Sequence, residues 1–140
     1  MEGIFMKLKE LLAKGYGNTM DLNCAEKMVY GANWAYDLKL APESLKLSAG
    51  FGGGMGVESV CGALTGAIMV LSHLYVKQNS HESTRIKELE SEFINAFQKE
   101  LGFSDCKNLK ATYRNDEVKC NPIIFKAAEI LDTIVEREGL

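Results

Sequence analysis

The sequence predicts an all-α fold: a helical bundle of about five long and two short helices around a buried central helix at about residues 60–76. Three observations lead there. From Val60 to Val76 the chain is uncharged and its apolar residues fall on every face, the pattern of a helix enclosed by others. Elsewhere apolar residues recur at every third or fourth position, the repeat of a helix with one buried stripe. No stretch alternates polar and apolar residues for long enough to require a strand. With 140 residues and 46% hydrophobic content, the chain has material for one well-buried core, so a single domain over residues 1–140 is expected.

Taken in order, the first helix is expected from about Glu2 to Lys14, with Ile4, Phe5, Leu8, Leu11 and Leu12 on its core face and Gly15 and Gly17 ending it. Asn23 followed by Glu26 fits a capping box, although Asn18 or Asp21 offers an earlier start. Ala25, Met28, Val29, Ala32 and Ala35 then mark the face of a second helix that ends near Leu40, with Cys24 in or near its first turn. Pro42 suits the first position of a short helix of about two turns through PESLKLSAG. The glycines at 50, 52, 53, 54 and 56 then form a loop that can use dihedrals closed to other residues.

Glu58 and Ser59 are the candidate caps of the central helix, whose first turn carries Cys61. Gly62, Ala63, Gly66 and Ala67 make its start thin, so neighbouring backbones can approach Cys61. Each glycine there costs about 1 kcal/mol relative to alanine, and close packing is the expected return. Ile86, Leu89, Phe93, Ala96, Phe97 and Leu101 line one face of an amphipathic helix closed by Gly102. Ser104 is placed to cap a short helix with Asp105 and Cys106 in its first turn, and YRNDEVKCN reads as a polar loop. Asn121 as cap and Pro122 behind it start the final helix, Ile123 to Glu138, leaving Cys120 just upstream.

Composition excludes several functions. The net charge is −3, with 16 Lys and Arg dispersed among 19 acids, so the chain lacks the basic footprint of a nucleic-acid binder. The N-terminus mixes charge into its apolar positions and reads as an amphipathic helix, not a secretion signal. A cytoplasmic location is therefore expected, where thiols stay reduced and four cysteines point to redox or metal chemistry before structural disulfides. The run from Val60 to Val76 falls short of the ~20 residues of a membrane span and includes Thr65, Ser72 and His73, so no span is expected. The glycine loop matches G-x-G-x-x-G in no register and lacks the GK[ST] ending of a P-loop, which argues against NAD and ATP.

The segment CGALTGA (Cys61 to Ala67), preceded by GFGGGMG and accompanied by single cysteines at 24, 106 and 120, resembles the redox-active family called C_GCAxxG_C_C. The resemblance covers nearly the whole chain. It implies a small, mostly helical, cysteine-dependent redox or metal-binding protein, often encoded near transporters, with no defined substrate.

All four cysteines fall at or beside expected helix starts, where unpaired N–H groups and about half a positive charge favour thiolates. If these ends converge, several thiolates could be held without lysines or arginines nearby. The intervals between them are 36, 44 and 13 residues, with no CxxC, which counts against zinc knuckles and thioredoxin-type motifs, and the absence of CxxCH excludes c-type haem. Cys24, Cys61, Cys106 and Cys120 are thus the candidate catalytic residues and metal ligands, serving an iron–sulfur cluster, a zinc or iron ion, or a reversible disulfide. Cys106 and Cys120 are close enough in sequence to pair. Gly53, Gly54, Gly56 and Gly62 are the candidates for shaping a cofactor pocket.

Other residues read more simply. His73 stands about 18 Å beyond Cys61 on a continuous helix, too far to share an ion, and is expected to be partly buried. His81 reads as loop surface. Glu58 and Asp105 adjoin cysteines and could accept protons, but suit helix starts as they are. Trp34, Tyr30 and Tyr36 are expected in the core or at a subunit interface, and a homodimer is possible on that basis. The leading expectation is electron transfer through a metal centre or thiol–disulfide exchange, with a redox or transporter-associated partner. The alternative is a non-enzymatic binding or assembly module whose cysteines only pack.

Overall fold

The computed structural model describes residues 6–140, which form seven α-helices and no β-strand. The first, α1, spans Leu8–Ala13. It starts later than the Glu2 expected, because Lys7 is already extended; Ile4 and Phe5 lie outside the described residues. No local side chain caps it. Instead Asp132, far along the chain, accepts hydrogen bonds from the Leu8 and Lys9 amides at 2.8 and 3.0 Å and from the Tyr36 hydroxyl at 2.6 Å. A buried carboxylate thereby satisfies helix-start donors that would otherwise be orphaned.

Helix α2, Cys24–Ala35, begins at the capping box expected from Asn23 and Glu26. It stops short of Leu40 because Asp37 and Lys39 adopt left-handed backbone, and the Asn33 side chain accepts a hydrogen bond from the Leu40 amide. Helix α3, Pro42–Leu45, carries its proline in the first turn and tightens into a 3-10 segment, Lys46–Phe51. The glycine loop follows as one wide turn, Gly54–Glu58, with Gly53, Met55, Gly56 and Glu58 at positive φ. At Gly54 the backbone is so crowded that a Cβ would stand 2.4 Å from the Ser59 nitrogen.

Helix α4 runs from Gly62 to Tyr75, two residues later than expected at its start. Val60 is not helical, because it pairs with Asp105 in an antiparallel bridge, and Cys61 becomes the N-cap in place of Glu58 or Ser59. Helix α5, Arg85–Leu101, buries Ile86, Leu89, Phe93, Phe97 and Leu101, with Ala96 only half-buried, and ends at Gly102 with φ +87°. Helix α6, Cys106–Tyr113, is capped by Asp105 and not by Ser104. Helix α7, Asn121–Glu138, takes Cys120 as its N-cap, so Asn121 is already helical.

The elements share one apolar core in which α4 meets α2, α5 and α7. Its most extensive contact is with α2, made possible by glycine. A Cβ on Gly66 would lie 2.8 Å from the Ala25 carbonyl oxygen and 2.9 Å from the Met28 Cβ; one on Gly62 would lie 3.0 Å from the Phe51 oxygen. The first turns of α2 and α4 therefore touch backbone to backbone. Phe93 and Phe97 stack with centroids 6.1 Å apart in the interior of α5. Tyr36 belongs to this core, whereas Trp34 is 67% exposed and so lies outside it, and His73 is exposed, against the expectation that it would be partly buried. His81 lies on the surface. No described helix is long and apolar enough to cross a membrane.

Two stability outcomes follow. Asp132→Ala leaves two amides and a phenol unpartnered and should cost about 2–4 kcal/mol in urea unfolding, against about 1 kcal/mol for Tyr36→Phe. Gly66→Ala presses against the α2 backbone; overpacking outweighs the gain in helix propensity, for a net loss of about 1–2 kcal/mol in the same measurement.

Candidate functional site

Four helices begin at one end of the molecule, and each begins with a cysteine. Cys24 and Cys106 are the first residues of α2 and α6, while Cys61 and Cys120 are the N-caps of α4 and α7. The α2–α4 backbone contact brings the first two of these starts together. A pair of hydrogen bonds between distant segments aligns α4 with α6: the Cys61 amide donates to the Ser104 carbonyl at 2.9 Å and the Cys106 amide to the Ser59 carbonyl at 2.6 Å. A tight turn then returns the chain from α6 to α7. Asn115 organises it by accepting from the amides of Glu117, Val118 and Lys119, the last in left-handed backbone.

The result is a cleft of about 680 Å³ lined by all four cysteines. Gly53 and Gly62 also line it. Gly54 instead packs against Cys106, where a Cβ would stand 2.8 Å from the Cys106 Cβ, and Gly56 faces open space. Cys61, Cys106 and Cys120 are buried and Cys24 is partly so; all four are free thiols.

Their electrostatics differ sharply. Burial pushes the Cys61 thiol up to about 11, although the Ala63 and Leu64 amides at the start of α4 pull it part of the way back. Burial also raises Cys106, with Lys110 opposing. Cys24 is also raised, by its neighbour Cys120 and by burial. Cys120 goes the other way. Its neighbour Cys24 and the Arg114 guanidinium, whose Nη1 is 3.1 Å from the sulfur, bring it down to about 6 against the cost of burial. Arg114 touches Cys120 and not Cys24, so the negative charge of the pair resides on Cys120.

Burial raises Cys24, Cys61 and Cys106, and the cleft favours a thiolate at Cys120 beside Arg114 over several held by helix ends alone. Arg114 was missed in the sequence, where only its place six residues before Cys120 in a polar loop could have signalled it. Asp105 serves α6, accepting from the Asn108 amide, which lowers its carboxyl. Glu58 is held down by Lys110 at 2.8 Å.

A family model described as "Putative redox-active protein (C_GCAxxG_C_C)" matches residues 22–134. The chain belongs to this family. No curated protein and no solved structure matches it. The matched region of this C_GCAxxG_C_C protein takes in all four cysteines and Arg114.

Four thiols are a donor set suited to a thiophilic ion or an iron–sulfur cluster. Their placement suits it less: among the described residues no three Cys, His, Asp or Glu side chains are grouped closely enough to hold one ion. The chemistry of this C_GCAxxG_C_C site is therefore derived from its thiols alone.

The alkylation rate of the reduced protein by iodoacetamide should rise with pH through a midpoint near 6 at Cys120, with Cys61 ionising only near 11. The sign follows from the thiolate being the nucleophile. Arg114→Gln should return the Cys120 midpoint toward the ordinary thiol value and slow alkylation near pH 7 by about tenfold. Mass spectrometry of the labelled peptides identifies the residue.

Proposed function

We propose that this protein exchanges two electrons through a reversible Cys24–Cys120 disulfide, with Cys120 as the attacking thiolate and Cys24 as the thiol that resolves the intermediate. The observation that carries this reading is that Cys24 and Cys120 line one cleft and the Arg114 guanidinium donates to the Cys120 sulfur at 3.1 Å. Thiol–disulfide exchange needs a stabilised thiolate near working pH and a second thiol within reach of it, and these residues supply both.

The Cys120 thiolate attacks one sulfur of an oxidised substrate, the substrate's S–S bond breaks, and the departing thiolate carries the electron pair. In the mixed disulfide Cys120 is no longer anionic, so its charge no longer disfavours ionisation of Cys24. Cys24 passes its proton to the departing thiolate and attacks the Cys120 sulfur. This forms the Cys24–Cys120 bond and releases the second substrate thiolate, which takes a proton from solvent. Two protein thiols are oxidised and one disulfide is reduced. A dithiol reductant returns the protein to its starting state.

Diamide titration followed by peptide mass mapping tests the pairing. The expected product is a Cys24–Cys120 bond, abolished by Cys120→Ser and replaced by a mixed disulfide on Cys120 in Cys24→Ser. Predominant Cys106–Cys120 linkage, or stoichiometric iron or zinc with visible absorption after anaerobic purification, would overturn it in favour of another pair or a metal centre.

A further inference from the structure

Resting on the redox reading above, we infer that the disulfide reduced at this site is a small organic molecule bearing carboxylates, admitted by the shape of the cleft and drawn in by Lys27, Lys119 and Arg114. Shape comes first. The Cys120 sulfur belongs to a residue only 7% exposed, at a cleft whose volume lies within the range of small-ligand sites. A sulfur recessed in a cleft is harder to reach for a disulfide embedded in the surface of a folded protein than for a small molecule.

Charge is the second observation. The chain as a whole carries −3, yet Lys27, Lys110, Arg114 and Lys119 line the cleft against Asp21 and Glu117. Lys110 is occupied by Glu58. Among the described residues Lys27 and Lys119 are paired with no carboxylate, and Lys27 reaches only the Asn18 amide oxygen, at 3.2 Å. The starts of α2, α4, α6 and α7 add their partial positive charge on the same side.

The reaction uses this field in sequence. In the resting site Arg114 faces the Cys120 thiolate. Once Cys120 enters the mixed disulfide its charge is gone, and the guanidinium is released to a substrate carboxylate. The anion that binds is therefore held most firmly while it is covalently attached, when Cys24 must resolve it.

The test compares three disulfides of similar size with the reduced full-length protein: dianionic dithiodipropionate, neutral hydroxyethyl disulfide and dicationic cystamine. Thiol release is followed kinetically and the bonds formed are mapped by mass. Dithiodipropionate should react about tenfold or more faster than hydroxyethyl disulfide, cystamine should be slowest, and the spread should narrow at high salt. The double substitution Lys27→Gln, Lys119→Gln should lower the ratio of anion to neutral rate. Equal rates for the three, or fastest reaction with cystamine, would overturn the substrate class while the redox reading stood, provided a Cys24–Cys120 bond still formed. Absence of that bond with every reagent would overturn both.

Discussion

The closeness of two helix backbones is the constraint on which the rest of this structure depends. Where α4 crosses the start of α2, Gly66 and Gly62 leave no room for side chains of their own, and the Ala25 backbone occupies the space. Helices separated by ordinary side chains stand about 8–10 Å apart; removing the Cβ atoms at the crossing brings the starts of both helices to one point. Cys24 and Cys61 are at those starts, so the packing of the core and the composition of the cleft are one fact. The glycines weaken α4 as an isolated helix, and enclosure by α2, α5 and α7 makes up the difference.

Around that crossing, hydrogen bonds between distant parts of the chain hold the remaining pieces in register. The antiparallel contact of Val60 with Asp105 docks α6 beside α4, the Tyr113 hydroxyl donates to the Leu101 carbonyl at 2.7 Å, and Asn115 folds the turn that delivers Cys120. At the side of α1, Asp132 ties its start to α2 and α7. Burial raises the Asp132 carboxyl, and the three donors oppose that rise. The network is paired throughout, and among the described residues no buried side-chain nitrogen or oxygen lacks a partner.

Within the cleft, the helix-end field and desolvation compete, and desolvation prevails wherever no direct partner is present. Cys61 caps a helix of 14 residues and still sits near 11, because the field of partial charges at a helix start is smaller than the cost of burying an anion. Cys120 differs by having the Arg114 cation in contact with its sulfur and Cys24 as a neighbour. Four chemically identical side chains, each at a helix start, thus acquire separate characters, and the distinction at Cys120 comes from its neighbours Arg114 and Cys24.

Much of this was legible in the chain because the physics that specifies it is local. The capping box at Asn23, the proline behind Cys120, the closing Gly102 and the apolar repeat of α5 act over one or two turns, and each appears where the sequence puts it. The misplaced boundaries have non-local or conformational causes: Val60 is taken by Asp105, and Asp37 and Lys39 turn left-handed against their preference. Trp34 on the surface and Arg114 against Cys120 had no clear sequence signal. The sequence by itself determined that this is a helical chain with a cysteine at the start of four helices, since periodicity and capping are properties of neighbours. Which sulfurs share a cleft, and which one bears the charge, was decided only by tertiary structure, because ionisation depends on contacts a few ångströms long between residues far apart in the chain.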